Sequence, residues 1–247
     1  MLPTPELAAL GVTIEAVECR VGSVRVPSYG GERPTSVVWL RGDETAGGGE
    51  HVGWTSAAHA AFRDAMASVP REEFLAPRMR RHAYEDRALA IDCGQTISQP
   101  LVVALMTQAA SPQPDDIALE VGTGSGYAAA VLSRLCRKVI TIEREPALAE
   151  QASQTLRRLG FENVEVAVGD GSQGWPSEAP YNVILVAAAA GSVPQALIDQ
   201  LADGGRMVIP VAVSAHEPQD LRVYLRRGAD VLYRSLFPVL FVPLRTG

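Results

Sequence analysis

The segment Ile117-Ala118-Leu119-Glu120-Val121-Gly122-Thr123-Gly124-Ser125-Gly126-Tyr127 runs a short apolar strand into a glycine-rich turn and then a helix. Its glycines permit positive φ and close approach of backbone to a ligand, and the first N–H groups of the following helix face whatever is bound. No lysine follows the last glycine, so the loop is not a phosphate-gripping P-loop. The spacing is GxGxG rather than the GxGxxG of dinucleotide loops, and the acidic Glu120 precedes it. A carboxylate there repels a pyrophosphate and tolerates a cation. S-adenosylmethionine, which carries an ammonium and a sulfonium and no phosphate, suits such a loop. Glu143 follows roughly 20 residues after Gly124, at the end of the next strand, where a carboxylate can accept hydrogen bonds from both ribose hydroxyls. Asp170, after a third strand and before Gly171, can take an adenine amino group. Each acid alone would be a solvated loop residue. Three of them at successive strand ends mark a crevice on one edge of a parallel sheet, where such sheets bind ligands.

The elements that must position these residues follow from periodicity. Strands are predicted at Ile117–Val121, Val139–Ile142, Val164–Val168, Tyr181–Val186 and Arg206–Val213. Helices are predicted at Ser125–Cys136, at Pro146–Leu159 closed by Gly160, and at Val193–Leu201 ended by Gly204-Gly205. Strand and helix in alternation give a parallel sheet with crossover helices. Leu221–Leu225 and Val231–Val242, separated by Arg226–Asp230, read as a hairpin at the end of that sheet. Upstream, Phe62, Met66 and Val69 give Thr55–Val69 a helical spacing that stops at Pro70. Residues 1–50 differ in texture. Val12, Ile14, Val17, Val21, Val24, Val26 and Val37–Leu40, broken by turn formers and by Gly47-Gly48-Gly49, predict two or three short strands and a linker. A β-rich extension over 1–50 and one α/β domain over 51–247 are the expected organisation.

Composition removes several function classes. Twenty-two Lys and Arg against 28 Asp and Glu leave a net charge of −6, the wrong sign for clamping nucleic acid. No apolar run reaches the roughly 18 residues of a membrane span, and Met1 to Leu10 has no leader-like apolar region, so neither a membrane partner nor secretion is expected. Cys19, Cys93 and Cys136 form no CxxC pattern, and His51, His59 and His216 offer no ligand spacing. No metal site is expected, and a reducing cytoplasm is.

Two further stretches sharpen the reading. Arg81-His82-Ala83-Tyr84-Glu85-Asp86-Arg87-Ala88-Leu89-Ala90-Ile91 with Gly94-Gln95-Thr96-Ile97-Ser98-Gln99-Pro100, and Gly169-Asp170-Gly171-Ser172-Gln173-Gly174-Trp175-Pro176 with the closing Phe241-Val242-Pro243-Leu244, resemble the protein-L-isoaspartate (D-aspartate) O-methyltransferases. The resemblance runs from about Thr55 to Leu244. It implies a Rossmann-like S-adenosylmethionine-dependent methyltransferase fold, a seven-stranded, mostly parallel sheet flanked by helices. It also implies methyl transfer from S-adenosylmethionine to the free carboxylate of L-isoaspartyl or D-aspartyl residues in damaged peptides or proteins, whose ester then collapses to a succinimide. A monomer is expected on the resemblance alone. Ser98 becomes the expected catalytic residue, and cofactor contacts are expected at Gln95, Thr96, Ile97, Ser98, Glu120, Gly122, Thr123, Gly124, Ser125, Glu143, Asp170 and Gly171.

The chain departs from the family pattern in places. Leu89-Ala90-Ile91-Asp92-Cys93-Gly94 replaces the usual Leu-Pro-Ile-Gly-His-Gly, Ala187 stands for a usual threonine, and Asn182 for a usual aspartate. These leave open a specialised relative acting on one dedicated peptide, or a non-catalytic cofactor-binding descendant. Duller roles compete for single residues: Ser98 as a helix cap before Pro100, Cys93 as a small buried residue, Arg78, Arg80, Arg81 and His82 as a solvated basic turn, and Trp175 as packing or as a wall for adenine.

Overall fold

The computed structural model describes residues 19–26, 33–40, 56–212 and 218–247. The strand expected around Val12–Val17, the Gly47–Gly49 linker, His51 and His216 lie outside the described residues. The chain divides into two compact units, Met1–Arg63 and Asp64–Gly247. In the first, β1 (Cys19–Val26) pairs antiparallel with β2 (Arg33–Leu40), in register from Cys19 opposite Leu40 to Val26 opposite Arg33. Helix α1 (Ser56–Ser68) spans the division and ends ahead of Pro70, as its spacing predicts.

The second unit holds a seven-stranded sheet. Its strands are β5 (Ile117–Val121), β6 (Lys138–Glu143), β7 (Val164–Val168), β8 (Tyr181–Val186), β9 (Leu201–Val211), β10 (Gln219–Arg227) and β11 (Asp230–Val239), in the order β11-β10-β9-β8-β5-β6-β7. Strands β5 to β9 run parallel, and β10 and β11 form the expected antiparallel hairpin. The chain leaves β5 toward β6 and β7 and returns on its other side at β8, so the strand order reverses at β5, and the crevice outside its carboxyl end is the ligand position of such sheets.

Helices α2 (Pro100–Ala110), α3 (Tyr127–Ser133), α4 (Pro146–Arg158) and α5 (Gln195–Asp199) accompany the sheet. Alternate residues of one strand enter different clusters: Ala118 packs with Met106, Ala110, Val183 and Val208, whereas Leu119 and Val121 join Ile140, Ile184, Met207 and Leu197. Burial on both faces is why these strands read as continuous apolar runs.

Of the boundaries that differ from expectation, three have a physical reason in the local bonding. Helix α3 stops at Ser133, short of Cys136, because the chain tightens into three-residue turns in which Arg134 and Leu135 donate to Val131 and Leu132 and the Ser133 hydroxyl bonds back to Ala130. The helix before β9 covers only Gln195–Asp199, and Gly204-Gly205 do not end it. They sit inside β9, where the pairing with β8 slips between Tyr181 and Val183; Gly204 has φ +74°, and a Cβ on Gly205 would lie 2.8 Å from the carbonyl oxygens of Ala202 and Tyr181. A bulge and a helix stop both require glycine, so local sequence alone does not separate them. Strand β9 accordingly starts at Leu201 rather than Arg206.

Candidate active site

The glycine loop leaves β5 with Gly122, Gly124 and Gly126 at φ +94°, +52° and +88°, the left-handed region that glycine supplies without strain. The amides of Gly122 and Thr123 both donate to the Ile142 carbonyl, and Gly126 donates to Thr123, which fixes the turn. Gly122 faces Ala187 at the end of β8, where a Cβ would come within 3.5 Å of the Ala187 Cβ. A Cβ on Gly124 would lie 3.6 Å from Ile91 Cδ1, so the short hairpin of β3 (Leu89–Ala90) and β4 (Thr96–Ile97) rests on the loop. Asp92 at the hairpin tip accepts a bond from Gln151 of α4, 3.2 Å away.

The three acids stand at the ends of β5, β6 and β7 but differ in circumstance. Glu120 is 1% exposed and lies beneath the loop. Thr141 Oγ1 donates to its Oε2 over 2.6 Å, and Thr141 in turn shares a 2.6 Å hydrogen bond with the Thr123 hydroxyl of the loop. Burial pushes the Glu120 carboxyl up to about 8; the Thr141 bond opposes this and the charge of Glu143 adds to it. Glu143 accepts the Gly124 amide on Oε2 (2.8 Å) and the Glu145 amide on Oε1 (3.1 Å), which holds it against the loop with one lone pair spare on each oxygen. Asp170 Oδ1 accepts from the amide and hydroxyl of Ser172, and its Oδ2 accepts the Gly247 amide at 3.0 Å. The Gly247 amide and then the Ser172 hydroxyl hold the Asp170 carboxyl below the usual carboxylate range.

Gly171 is buried where its backbone crosses β5; a Cβ there would fall 2.4 Å from Val121 Cγ1, so no larger residue fits. Ser125 is half-buried on the loop, and Thr96 is exposed, Gln95 half-buried and Ile97 buried on the hairpin. The Thr96 carbonyl lies 3.9 Å from the position of a Cβ on Gly124.

Ser98 is half-buried at the exit of β4. It does not cap α2: the cap position is Gln99, without a side-chain bond, and Pro100 opens the helix. The Ser98 hydroxyl has no hydrogen-bond partner among the described residues, whereas its carbonyl accepts Arg71 Nη2 at 2.6 Å. Sequence reasoning missed Arg71. Its side chain is fully buried, and nothing in its type or spacing announces that, because its acceptors lie 12 and 27 positions away.

The neighbouring substitutions find roles. Cys93 is exposed rather than buried, at φ +56° in the hairpin tip, so the turn and not its apolar character decides its place. Asn182 Oδ1 accepts the Ile117 amide at 3.0 Å, a bond that an aspartate could equally accept. Trp175 packs on the core with its ring edge 3.9 Å from the position of a Cβ on Gly169. Arg78, Arg80 and Arg81 are exposed on a 3-10 turn, and Arg80 reaches Glu73 at 3.4 Å. Among the described residues no cluster of His, Cys, Asp or Glu could hold a metal ion, and no helix is long and apolar enough to cross a membrane.

These residues fit S-adenosylmethionine. The loop offers no cation for a pyrophosphate, its three positive-φ glycines leave the backbone bare, a buried acid lies beneath it, and two carboxylates with spare lone pairs flank it.

Comparison with known proteins agrees with the geometry. The family described as Protein-L-isoaspartate(D-aspartate) O-methyltransferase (PCMT) matches residues 54–247, and a second, described as Domain of unknown function (DUF8230) N-terminal domain, matches residues 5–75. A Parvibaculum lavamentivorans protein named protein-L-isoaspartate O-methyltransferase is 53% identical over 184 residues, covering 74% of this chain and 83% of its own length. A solved structure of a protein-L-isoaspartate O-methyltransferase is 30% identical with a TM-score of 0.66; the match covers 75% of this chain and 65% of that one. A Plasmodium falciparum chain crystallised with S-adenosyl-L-homocysteine shares the fold at 24% identity and a TM-score of 0.66, over 76% of this chain and 91% of that one.

Proposed function

This chain belongs to the protein-L-isoaspartate(D-aspartate) O-methyltransferase family, and from that premise we propose that it methylates the free carboxylate of L-isoaspartyl or D-aspartyl residues in peptides and proteins, with S-adenosylmethionine as donor. The observation that carries the assignment of roles is the Ser98 hydroxyl, left without a partner among the described residues two positions after Thr96, whose carbonyl approaches the glycine loop, while its own backbone is fastened.

The accepting carboxylate is already ionised near neutral pH, so no side chain needs to act as a general base. When bound, the donor supplies an electrophilic methyl group on a sulfonium. Glu143 accepts from ribose hydroxyls on its spare lone pairs, and Asp170 accepts from the adenine amino group on the lone pair of Oδ2 that the Gly247 amide leaves spare. Gly122, Thr123, Gly124 and Ser125 present backbone to the ligand, Gly171 keeps the rim close-packed, and Gln95, Thr96 and Ile97 cover the loop. Ser98 donates one hydrogen bond to a carboxylate oxygen and aims the other oxygen along the line of transfer. Neutralisation of charge in the transition state makes alignment and exclusion of water the main sources of rate.

The proposal extends to organisation: residues 1–50 are an appended β-rich extension and 51–247 the methyltransferase domain, acting as a monomer in a reducing cytoplasm, a setting that the free Cys93 and Cys136 suit. Its test uses two peptides that differ only in an isoaspartyl against a normal aspartyl linkage. Saturable methyl incorporation into the first, followed by succinimide formation, is expected; no incorporation, or equal incorporation into both, overturns the reading.

A further inference from the structure

Arg71 is 0% exposed, yet no carboxylate pairs with it among the described residues. Taking a guanidinium out of water costs several kcal/mol, and proteins ordinarily offset that with a buried acid. Here the fork closes on main chain instead. Nε donates to the Ala83 carbonyl at 2.7 Å and Nη2 to the Ser98 carbonyl at 2.6 Å. The Tyr127 ring lies under the cation, 4.7 Å from Cζ, and Nη1 is buried with no hydrogen-bond partner.

Those contacts belong to three separate segments. Ala83 follows the 3-10 turn Pro77–His82, Ser98 follows β4, and Tyr127 is the first residue of α3, directly after the glycine loop. A rigid, planar group that grips two of them by paired bonds and stacks on the third fixes their mutual spacing. The Ser98 peptide plane is thereby set relative to the helix that carries the loop. Lysine keeps the charge but lacks the planar fork that holds both carbonyls in one fixed geometry, and an apolar side chain would leave both carbonyls without this donor. The cation has no ion-pair partner among the described residues, so its positive charge, offset only in part by Asp86 beyond ion-pair range, favours an anionic group arriving at the Ser98 hydroxyl.

We propose that Arg71 is a positioning residue for methyl transfer: it fastens the Ser98 backbone to the helix following the glycine loop and lends the acceptor carboxylate a favourable potential. The inference rests on the functional reading given above for its substrate.

The test compares wild type with Arg71→Lys and Arg71→Met in the full chain by four measurements: thermal unfolding, S-adenosylhomocysteine binding by calorimetry, kcat and KM for an isoaspartyl peptide, and amide hydrogen exchange over residues 95–99. Arg71→Lys is expected to bind S-adenosylhomocysteine within about twofold of wild type while kcat falls roughly tenfold and exchange over 95–99 accelerates. Arg71→Met is expected to add a rise in peptide KM, since the charge is gone. A merely structural role would lower the unfolding temperature and cofactor affinity together and leave kcat per folded molecule unchanged; that result overturns the proposal. If Arg71→Met does not fold, Arg71→Lys decides, and wild-type kcat with wild-type exchange in that variant overturns it. A wild type inactive on the peptide would sink the functional reading by itself; exchange over 95–99 then decides whether Arg71 positions Ser98, with an unchanged rate counting against it.

Discussion

The two rims of one sheet use polar groups in opposite ways. At the amino ends of the strands, they close on each other. Asp116 accepts from Arg206 Nη2 (3.2 Å) and from the Gln113 amide, Arg206 also donates to the carbonyls of Ala110 and Ser111, Asn163 ties Ser133 to Cys136, and Lys138 bridges Glu165 and Glu178. At the carboxyl ends, a carboxyl is buried beneath the loop, two carboxylates keep lone pairs spare, a serine hydroxyl stands free, and an arginine spends its bonds on main chain. The first rim is finished by folding. The second holds groups whose partners are ligands, and its cost is carried by the rest of the sheet.

The largest expected break in that contrast is electrostatic. Glu120 holds its proton in the fold up to about pH 8, whereas a freely solvated glutamate titrates at 4.5. Between those values the folded chain binds a proton that the unfolded chain has lost, so this carboxyl stabilises at low pH and its contribution is lost as pH rises through the folded value, by ~1.4 kcal/mol per pH unit. In urea unfolding without cofactor, wild type is therefore expected to lose stability from pH 5.5 to 8, and Glu120→Gln to lose much less. Parallel curves would mean that Glu120 carries its charge in the fold and that the two rims do not differ in this respect.

Next in size is the pair of single-rim deletions. Glu143→Ala is expected to weaken S-adenosylhomocysteine binding roughly a hundredfold, the worth of two charge-assisted hydrogen bonds, and to cost about 1–2 kcal/mol of stability as well, because the Gly124 and Glu145 amides lose their acceptor. Arg206→Ala, at the other rim, is expected to lose about 2 kcal/mol of stability, because Asp116 keeps only the Gln113 amide, and to leave cofactor affinity of the folded protein unchanged. Calorimetry and chemical denaturation on both variants separate binding from folding. An exchange of these two outcomes would dissolve the distinction between the rims.

How much of this was legible in sequence depends on how local the cause is. The glycine loop and Glu143 were readable because strand, turn and helix are contiguous and the Gly124 amide meets Glu143 after one crossover. The parallel sheet and the hairpin at its end followed from alternation and short connections, whereas the strand order did not. Arg71 was not readable, since its burial is decided by carbonyls in two other segments. Gly204-Gly205 were readable as a break and not as which break, because register with β8 decides between bulge and helix stop. Cys93 was misjudged because a tight turn between two-residue strands overrides the tendency of a thiol to be buried.

A smaller effect tests the free hydroxyl. Ser98→Ala removes no hydrogen bond made among the described residues and no helix cap, so its melting temperature is expected to stay within about 1 °C of wild type, while kcat on an isoaspartyl peptide falls roughly tenfold, the loss of one bond to a charged oxygen. Cofactor affinity stays put. A large drop in melting temperature would place Ser98 with the groups that folding satisfies.

The smallest expected effect concerns a departure from the family pattern at the amino rim. Asn182 stands where relatives of this pattern usually carry aspartate, and its Oδ1 accepts the Ile117 amide at the start of β5. Asn182→Asp keeps an acceptor at the same place and gives up the two amide protons, which bond nothing among the described residues. The new charge is half-buried beside a strand end where one backbone donor is already aimed at it, so the hydrogen bond strengthens while desolvation opposes it. The two effects are of similar size, and the change in unfolding free energy is expected to stay within about 0.5 kcal/mol, with kcat and cofactor binding unaltered. Denaturant titration at pH 7 reads the first, and peptide methylation the second. A change in kcat would mean that the amino end of β5 reports to its carboxyl end, and the two rims would then have to be treated as one site.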